Sequence, residues 1–227
     1  MSHPAPSFRA LAPSPVRAIV ASYDSPLITV YTSLRFLILR QTFLQEIDRY
    51  LPAHGRILDL GCGFGLFSLF FATTQPGREL LGVDRDLERV EQARRSADKL
   101  GLTNVSYHHG DVLEWVAPGS YDAIYMLDVL HHVPVDAAPK LLAQLRAQLN
   151  PGGVLILKEV ANKPFAKMLF TLALDRLMVG MKEPIHYWEP AQLIGVLENL
   201  GFDVKHHAMR DVLPYPHVLY IGRLPTA

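Results

Sequence analysis

The sequence predicts an α/β protein with a mostly parallel sheet covered by helices on both faces. Three observations carry that reading. Short, continuously apolar runs alternate with helical patterns between residues 56 and 160, as strands buried on both faces do. The first run ends in the glycine-rich turn Gly61-Cys62-Gly63-Phe64-Gly65, and a helical pattern follows directly. The last two runs, 202–208 and 218–222, are joined by a Pro-rich stretch too short for a helical crossover, so they should pair antiparallel.

Composition agrees. The 227 residues are 49% hydrophobic and 19% charged, which suits one large core and excludes disorder as the main state. Lys plus Arg and Asp plus Glu are 22 each. This zero balance argues against a nucleic-acid partner held through its phosphates. The single cysteine, Cys62, leaves no internal disulfide and points to a reducing, cytoplasmic setting. The two most apolar stretches, 27–39 and 165–181, are broken by polar residues, so neither reads as a transmembrane span. Prolines at 4, 6, 13 and 15 argue against a signal peptide.

Residues 1–16, rich in Pro, Ser and Ala, read as a mobile tail, leaving 17–227 as a single domain. Over 33–51 the apolar positions Phe36, Leu37, Leu44, Ile47 and Leu51 fall at helical spacing, predicting one amphipathic helix. Then come a strand at 56–60, a helix at 64–73, a strand at 80–83 and a helix from Asp86 to about Leu100. Asp86 caps that helix, Gly101 ends it, and Glu91 and Arg95 form an i,i+4 pair. Strands at 105–108 and 123–127 follow, then a helix over 136–149 with Asp136 as N-cap and Pro139 in its first turn. The turn Asn150-Pro151-Gly152-Gly153 introduces a fifth strand at 154–160. Residues 162–188 read as an insertion whose helix, 165–179, is apolar except for a stripe of Lys167, Thr171 and Asp175. A last helix starts at Glu189 or Pro190 and stops at Leu200-Gly201.

The turn after the first strand carries the chemistry. Glycines there let the backbone approach a ligand closely, and the helix N-terminus adds inward N–H groups. Asp84 ends the second strand, where an acid can accept both hydroxyls of a ribose. Asp111, after the third strand, can accept from the amine of an adenine. A dinucleotide site requires a small residue where Leu66 stands. No Gly-Lys-Ser/Thr follows, so a phosphate loop is absent as well. An adenosine cofactor without phosphates fits better.

The chain resembles the class I S-adenosylmethionine-dependent methyltransferases of small-molecule type. The matching pieces are ILDLGCGFG (57–65), GVDRD (82–86), GDV (110–112), YDAIYMLDVLHHVP (121–134) and LNPGGVLIL (149–157), in the family's order over roughly residues 40–222. The resemblance implies a Rossmann-like, seven-stranded sheet whose last strand is antiparallel. It implies S-adenosyl-L-methionine as cofactor, with Gly61, Cys62 and Gly63 around its methionine part and Asp59 supporting that loop. It places Asp84 and Arg85 at the ribose, Asp111 and Val112 at the adenine, and Leu127 and Asp128 near the amino group and the transferred methyl.

Methyl transfer at a sulfonium needs alignment and a dry pocket, and a base only where the acceptor loses a proton. His132 and His131, directly after the fourth strand, are the candidate bases; the alternative is that His-His-Val-Pro merely closes the strand. Asp128, His131 and His132 together resemble the acid, acid, histidine metal set of some quinone-pathway O-methyltransferases. His131 replaces the middle acid, and no metal is assigned. The loop lacks the Asn/Asp-Pro-Pro-Tyr/Phe pattern of enzymes that methylate base amines. In the family the acceptor pocket comes from the N-terminal helix and the segment after the fifth strand. Tyr23, Tyr31, His186, Tyr187 and Trp188 are the candidate substrate residues, and the insertion would cover the acceptor site. Both segments are apolar, so the expected acceptor is a hydrophobic or aromatic small molecule, with O-methylation favoured. The apolar helix serves equally as a packed lid, a homodimer face or a weak membrane-surface contact. A nicotinamide-dependent oxidoreductase and a catalytically silent scaffold are the rival readings.

Overall fold

The computed structural model describes residues 14–38, 41–114, 119–160, 186, 188–209 and 217–226. Helix α1 (Pro15–Ser22) opens the described chain, with the Ser14 side chain accepting from Arg17 N–H. The expected tail of 1–16 overlaps this helix, since Pro15 and Val16 are helical, and 1–13 lie outside the described residues. A serine cap followed by proline, whose φ already suits a first turn, is a helix start.

The single helix expected over 33–51 is two, α2 (Pro26–Ile38) and α3 (Gln41–Asp48). Thr29, Thr32 and Ser33, which broke the apolar run 27–39 as a membrane span, sit inside α2. Their hydroxyls turn back onto the carbonyls of Ser25 and Thr29 at 2.6–3.2 Å, so they follow the helix instead of breaking it. Leu27, Val30, Leu34 and Leu37 lie on the exposed side of α2.

Next come β1 (Gly55–Leu60), α4 (Leu66–Thr74), β2 (Arg78–Asp84), α5 (Leu87–Leu100), β3 (Val105–His109) and β4 (Tyr121–Leu127). Asp86 caps α5, and left-handed Gly101 ends it, as expected. After a short 3₁₀ turn at Leu130–His132 come α6 (Ala138–Ala147) and β5 (Leu149–Val160). Asp136 does not cap α6. Ala137 holds that place without a side-chain bond, and the N–H groups of Ala137 and Ala138 both reach Pro134 O at 3.0 Å. The backbone turn after Pro134 does the capping. Residues 150–153 lie inside β5, where the register jumps from Tyr121↔Leu149 to Ala123↔Val154. The chain closes with α7 (Pro190–Asn199), β6 (Asp203–Ala208) and β7 (His217–Arg223). The 165–179 helix, Tyr187 and most of the 162–188 insertion lie outside the described residues.

The seven strands form one sheet in the order β3-β2-β1-β4-β5-β7-β6, with β7 antiparallel to both neighbours and the other pairs parallel. Ile19, Leu44, Ile47, Leu69, Phe71 and Tyr125 belong to the core under α1–α5. Leu58, Ile124, Leu142, Leu145, Leu193 and Leu197 belong to the second core under α6 and α7. From β1 the chain winds to one side and from β4 to the other, so a crevice opens between their carboxyl ends, where such sheets receive ligands.

Gly61 follows β1 at that crevice with φ 78°, and a Cβ there would sit 2.3 Å from Val129 Cγ2. Gly61→Ala combines left-handed strain with a collision. It is expected to cost about 2 kcal/mol or more in urea unfolding, partly restored by adding Val129→Ala; full stability of the single variant would contradict the packing described.

Candidate functional site

The glycine turn is built by backbone hydrogen bonds. The N–H groups of Gly61 and Cys62 both donate to Val83 O at 2.8 and 3.1 Å, and Gly65 N–H donates to Cys62 O at 2.9 Å. Gly65 also lacks room for a side chain, since its Cβ would meet the Tyr107 hydroxyl at 2.6 Å. Gly63 differs. Nothing lies within 4 Å of where its Cβ would be, because that side faces open space.

Asp84 fastens the turn to β2. Its Oδ2 accepts from Gly63 N–H at 2.8 Å and its Oδ1 from Asp86 N–H at 2.9 Å. Each carboxylate oxygen keeps a further lone pair for a ligand hydroxyl. Asp111, two residues past β3, accepts from Leu113 N–H at 2.9 Å.

These groups border a cavity of about 260 Å³. Of the residues singled out from sequence, Gly61, Cys62, Gly63, Asp84, Arg85 and Asp111 line it. So do Val112, Leu127, Asp128, His131, His132 and Tyr31. Asp59, Tyr23, His186 and Trp188 do not. Tyr23 is buried, with its hydroxyl on Phe64 O at 2.8 Å, so it braces the glycine turn from behind. Trp188 packs in the α6–α7 core, on the opposite side of the sheet. His186 lies next to the site through its backbone, its N–H donating to His131 O at 2.7 Å.

Asp59 sits below the turn, 2% exposed. Its Oδ2 and the Tyr125 hydroxyl are both buried without a hydrogen-bond partner among the described residues. Burial pushes this carboxyl up to about 7. Burial also drives the Cys62 thiol well above its ordinary value. Cys62 is a small, inert residue of a tight turn.

Four charged residues not singled out from sequence complete the site. Arg35, from α2, reaches across to Asp128 at 2.7 Å, and Lys158 from β5 holds the other Asp128 oxygen at 2.5 Å. Asp128 adopts φ 60°, the one left-handed non-glycine among the described residues, a conformation Asp tolerates better than most. Burial alone would raise its pKa, but Lys158 and then Arg35 outweigh that and hold it well below the usual carboxylate range. Burial pushes Lys158 down, against the pull of Asp128. Arg89 lies over the Phe64 ring at the cavity edge. Glu159, 4% exposed, accepts from His131 Nδ1–H at 2.7 Å and from Leu130 N–H at 2.8 Å. The available signal was the Lys158-Glu159 pair closing an otherwise apolar strand, and Arg35 as the one charge within 27–39.

The His131 and His132 rings lie 4.2 Å apart between centroids, tilted at 51° to one another. Burial first, then the neighbouring His131 and Arg85, push His132 down to about 4. Among the described residues no cluster of three or more His, Cys, Asp or Glu has the arrangement to hold a metal. Nor is any described helix long and apolar enough to cross a membrane.

A cavity at the β1–β4 crevice, floored by glycines and flanked by an acid on β2 and another after β3, agrees with a family model. The model for a methyltransferase domain matches residues 33–207. The chain belongs to that family. It is a class I S-adenosylmethionine-dependent methyltransferase domain, and the nicotinamide alternative is set aside. An S-adenosyl-L-methionine-dependent Diels–Alderase of Talaromyces variabilis is 33% identical over 183 residues, covering 75% of this chain and 61% of that protein. A ubiquinone biosynthesis O-methyltransferase of Leptothrix cholodnii is 28% identical over 158 residues, covering 66% and 65%. The chain thus spans less than two thirds of the length of these relatives. An O-methyltransferase family protein from Burkholderia thailandensis superposes with a TM-score of 0.68 at 18% identity, over 85% of this chain and 58% of that one. This likeness is one of fold.

The cradle suits the cofactor: the open face of Gly63 leaves room for it, and Asp84 and Asp111 keep acceptors for hydroxyls and an amine. The raised carboxyl of Asp59 has a consequence for stability. Folded, it keeps its proton to about pH 7, while unfolded it releases it near 3.8. Its contribution is therefore whole below the lower value and disappears as pH rises through the upper one. Asp59→Asn is expected to raise the melting temperature at about pH 8 and to shrink the fall between about pH 5 and 8, measured by calorimetry.

Proposed function

We propose that this chain transfers a methyl group from S-adenosylmethionine to a hydroxyl of a hydrophobic or aromatic small molecule. One observation carries the reading: a single cavity joins the glycine turn, Asp84 and Asp111 to the histidines after β4. Cofactor and acceptor would thus meet at the strand ends. Bound there, S-adenosylmethionine supplies an electrophilic methyl on a sulfonium that leaves as a neutral thioether.

Asp84 receives the ribose hydroxyls, and Asp111 with Val112 receives the adenine. Arg35 and Asp128 form a matched pair for a zwitterionic amino-acid end, the guanidinium toward its carboxylate and the carboxylate toward its ammonium. Tyr31, Phe64, Phe67, Leu127 and Val133 give the cavity apolar wall, which favours an apolar acceptor and excludes water. The apolar 162–188 insertion would cover that acceptor. The relatives named ubiquinone biosynthesis O-methyltransferases support oxygen as the methylated atom and a quinol-like ring as the acceptor class.

A second reading follows from the relative named a Diels–Alderase. The same domain, cofactor bound, would promote ring closure of an unsaturated small molecule without consuming the cofactor. The two are separated by stoichiometry. Methyl transfer yields one S-adenosylhomocysteine per acceptor converted; conversion without it selects ring closure.

Asp84→Ala is expected to weaken S-adenosylmethionine binding more than tenfold in calorimetry, since two charge-assisted hydrogen bonds are lost. Unchanged affinity would remove Asp84 from the ribose. Absence of binding by the unaltered protein would favour the silent scaffold.

A further inference from the structure

The charges around the cavity do not balance once the cofactor is placed as proposed above. Asp84 and Asp111 then go to the nucleoside, and the Arg35–Asp128 pair goes to the amino-acid end. Of the arginines and aspartates that line the cavity, Arg85, Arg89 and Asp86 remain, two positive charges against one negative. The sulfonium of a bound cofactor adds another positive charge. A cationic acceptor is repelled from such a space, and an anion is drawn into it.

Of the two arginines, Arg89 is the one whose head group is set in place. It stands in the first turn of α5, and the capping residue Asp86 holds it twice. Asp86 Oδ1 accepts from the Arg89 backbone N–H at 3.2 Å, and Oδ2 pairs with its Nε at 3.2 Å. The guanidinium carbon lies 5.5 Å from the centroid of the Phe64 ring. Acid and ring together fix the guanidinium, and the side chain is 26% exposed. A guanidinium has donors beyond Nε–H, so pairing through Nε leaves its Nη nitrogens for a second carboxylate.

The surroundings say what would carry that carboxylate. Tyr31 meets Phe64 edge-on, with centroids 5.5 Å apart and planes at 61°, and Tyr31, Phe64 and Arg89 all line the cavity. The charge therefore sits beside an aromatic wall, where a ring can lie. Its influence reaches the acceptor end of the space. After burial, the charges that push His132 down are His131, then Arg85 and Arg89. A flat guanidinium matches the two oxygens of a carboxylate. A phosphate dianion would face Asp84 and Asp86 at the same edge, and like charges in that position are unfavourable.

We infer that Arg89 binds a carboxylate carried by the acceptor, so that the acceptor is an aromatic hydroxy acid. This deepens the methyl transfer proposed above and rests on it. Asp86 is the positioning residue of Arg89, and Phe64 supports both the guanidinium and the acceptor ring.

The test compares 3,4-dihydroxybenzoate with its methyl ester, which keeps the ring and both hydroxyls and removes the charge. With the unaltered full chain, kcat/KM is expected to favour the acid about tenfold or more. Arg89→Met should erase most of that ratio through KM for the acid, and Arg89→Lys should restore part of it. Equal use of acid and ester by the unaltered protein, or an unchanged ratio in Arg89→Met, overturns the inference. Binding of S-adenosylhomocysteine is measured on the same variants by calorimetry, because the cofactor also carries a carboxylate. A loss there as large as the loss on the acid would assign Arg89 to the cofactor and overturn the inference as well. Should Arg89→Met fail to fold, Arg89→Gln carries the same comparison. If the unaltered protein methylates neither probe, calorimetry on the chain saturated with S-adenosylhomocysteine separates the two readings. Binding of the acid about tenfold tighter than the ester, lost in Arg89→Met, upholds the carboxylate site while transfer to a ring hydroxyl falls. Equal binding of the two, or none, overturns the site itself.

Discussion

The hydrogen bond from Gly63 N–H to the Asp84 carboxylate joins the ends of two neighbouring parallel strands, and the site is organised around it. It can form because three glycines turn the chain through left-handed conformations at φ 54–78°, which side chains resist. Val129 occupies the place a Cβ on Gly61 would take, and Tyr107 and Ala93 do the same at Gly65. The turn is thus clamped at both ends, while its middle faces the cavity. The carboxylate proposed to meet the ribose is the one that holds the backbone of the turn. On that proposal, loop position and binding strength would be coupled through a single side chain.

Across the crevice the wall is made of charge. Lys158 and Glu159 are adjacent on β5, and because strand side chains alternate, one serves each face of the sheet. Lys158 turns toward the α1–α5 layer, where it holds Asp128 and lies over Phe43 at 5.6 Å. Glu159 turns the other way and holds His131 and Leu130. Desolvating these groups is costly, and each is offset by partners at hydrogen-bond distance. Such expense is hard to explain as stability alone, because apolar packing would supply that more simply. It buys fixed orientation of polar groups beside an apolar cavity.

Much of this was legible before any coordinates. All seven runs read as strands became strands, β5 starting earlier than expected, and the Asp86 cap and Gly101 stop of α5 fell where side-chain chemistry demands. Asp84, Asp111 and the glycine turn could be placed at the cavity because that place depends on position relative to a strand end, which local pattern reveals. The errors share a cause. One helix was read over 33–51 where two stand, 26–38 and 41–48, because apolar spacing continues across the break between them. Asp136 looked like a cap because its residue type suits one, yet the backbone after Pro134 had already satisfied the helix start. Tyr23 and Trp188 looked like pocket residues because aromatics are good ligand walls, yet both were needed as packing.

The linear chain by itself determined the class of sheet, which runs become its strands, and the glycine turn and acids that border the crevice. Those depend on hydrophobic period and on glycine's missing side chain, both local properties. Only the tertiary structure decided the rest of the crevice. Arg35 meets Asp128 across 93 positions, and Glu159 meets His131 across 28. Neither pairing leaves a local trace, because a charge acquires its partner only when strand order and the α2 crossing bring distant segments within hydrogen-bond reach.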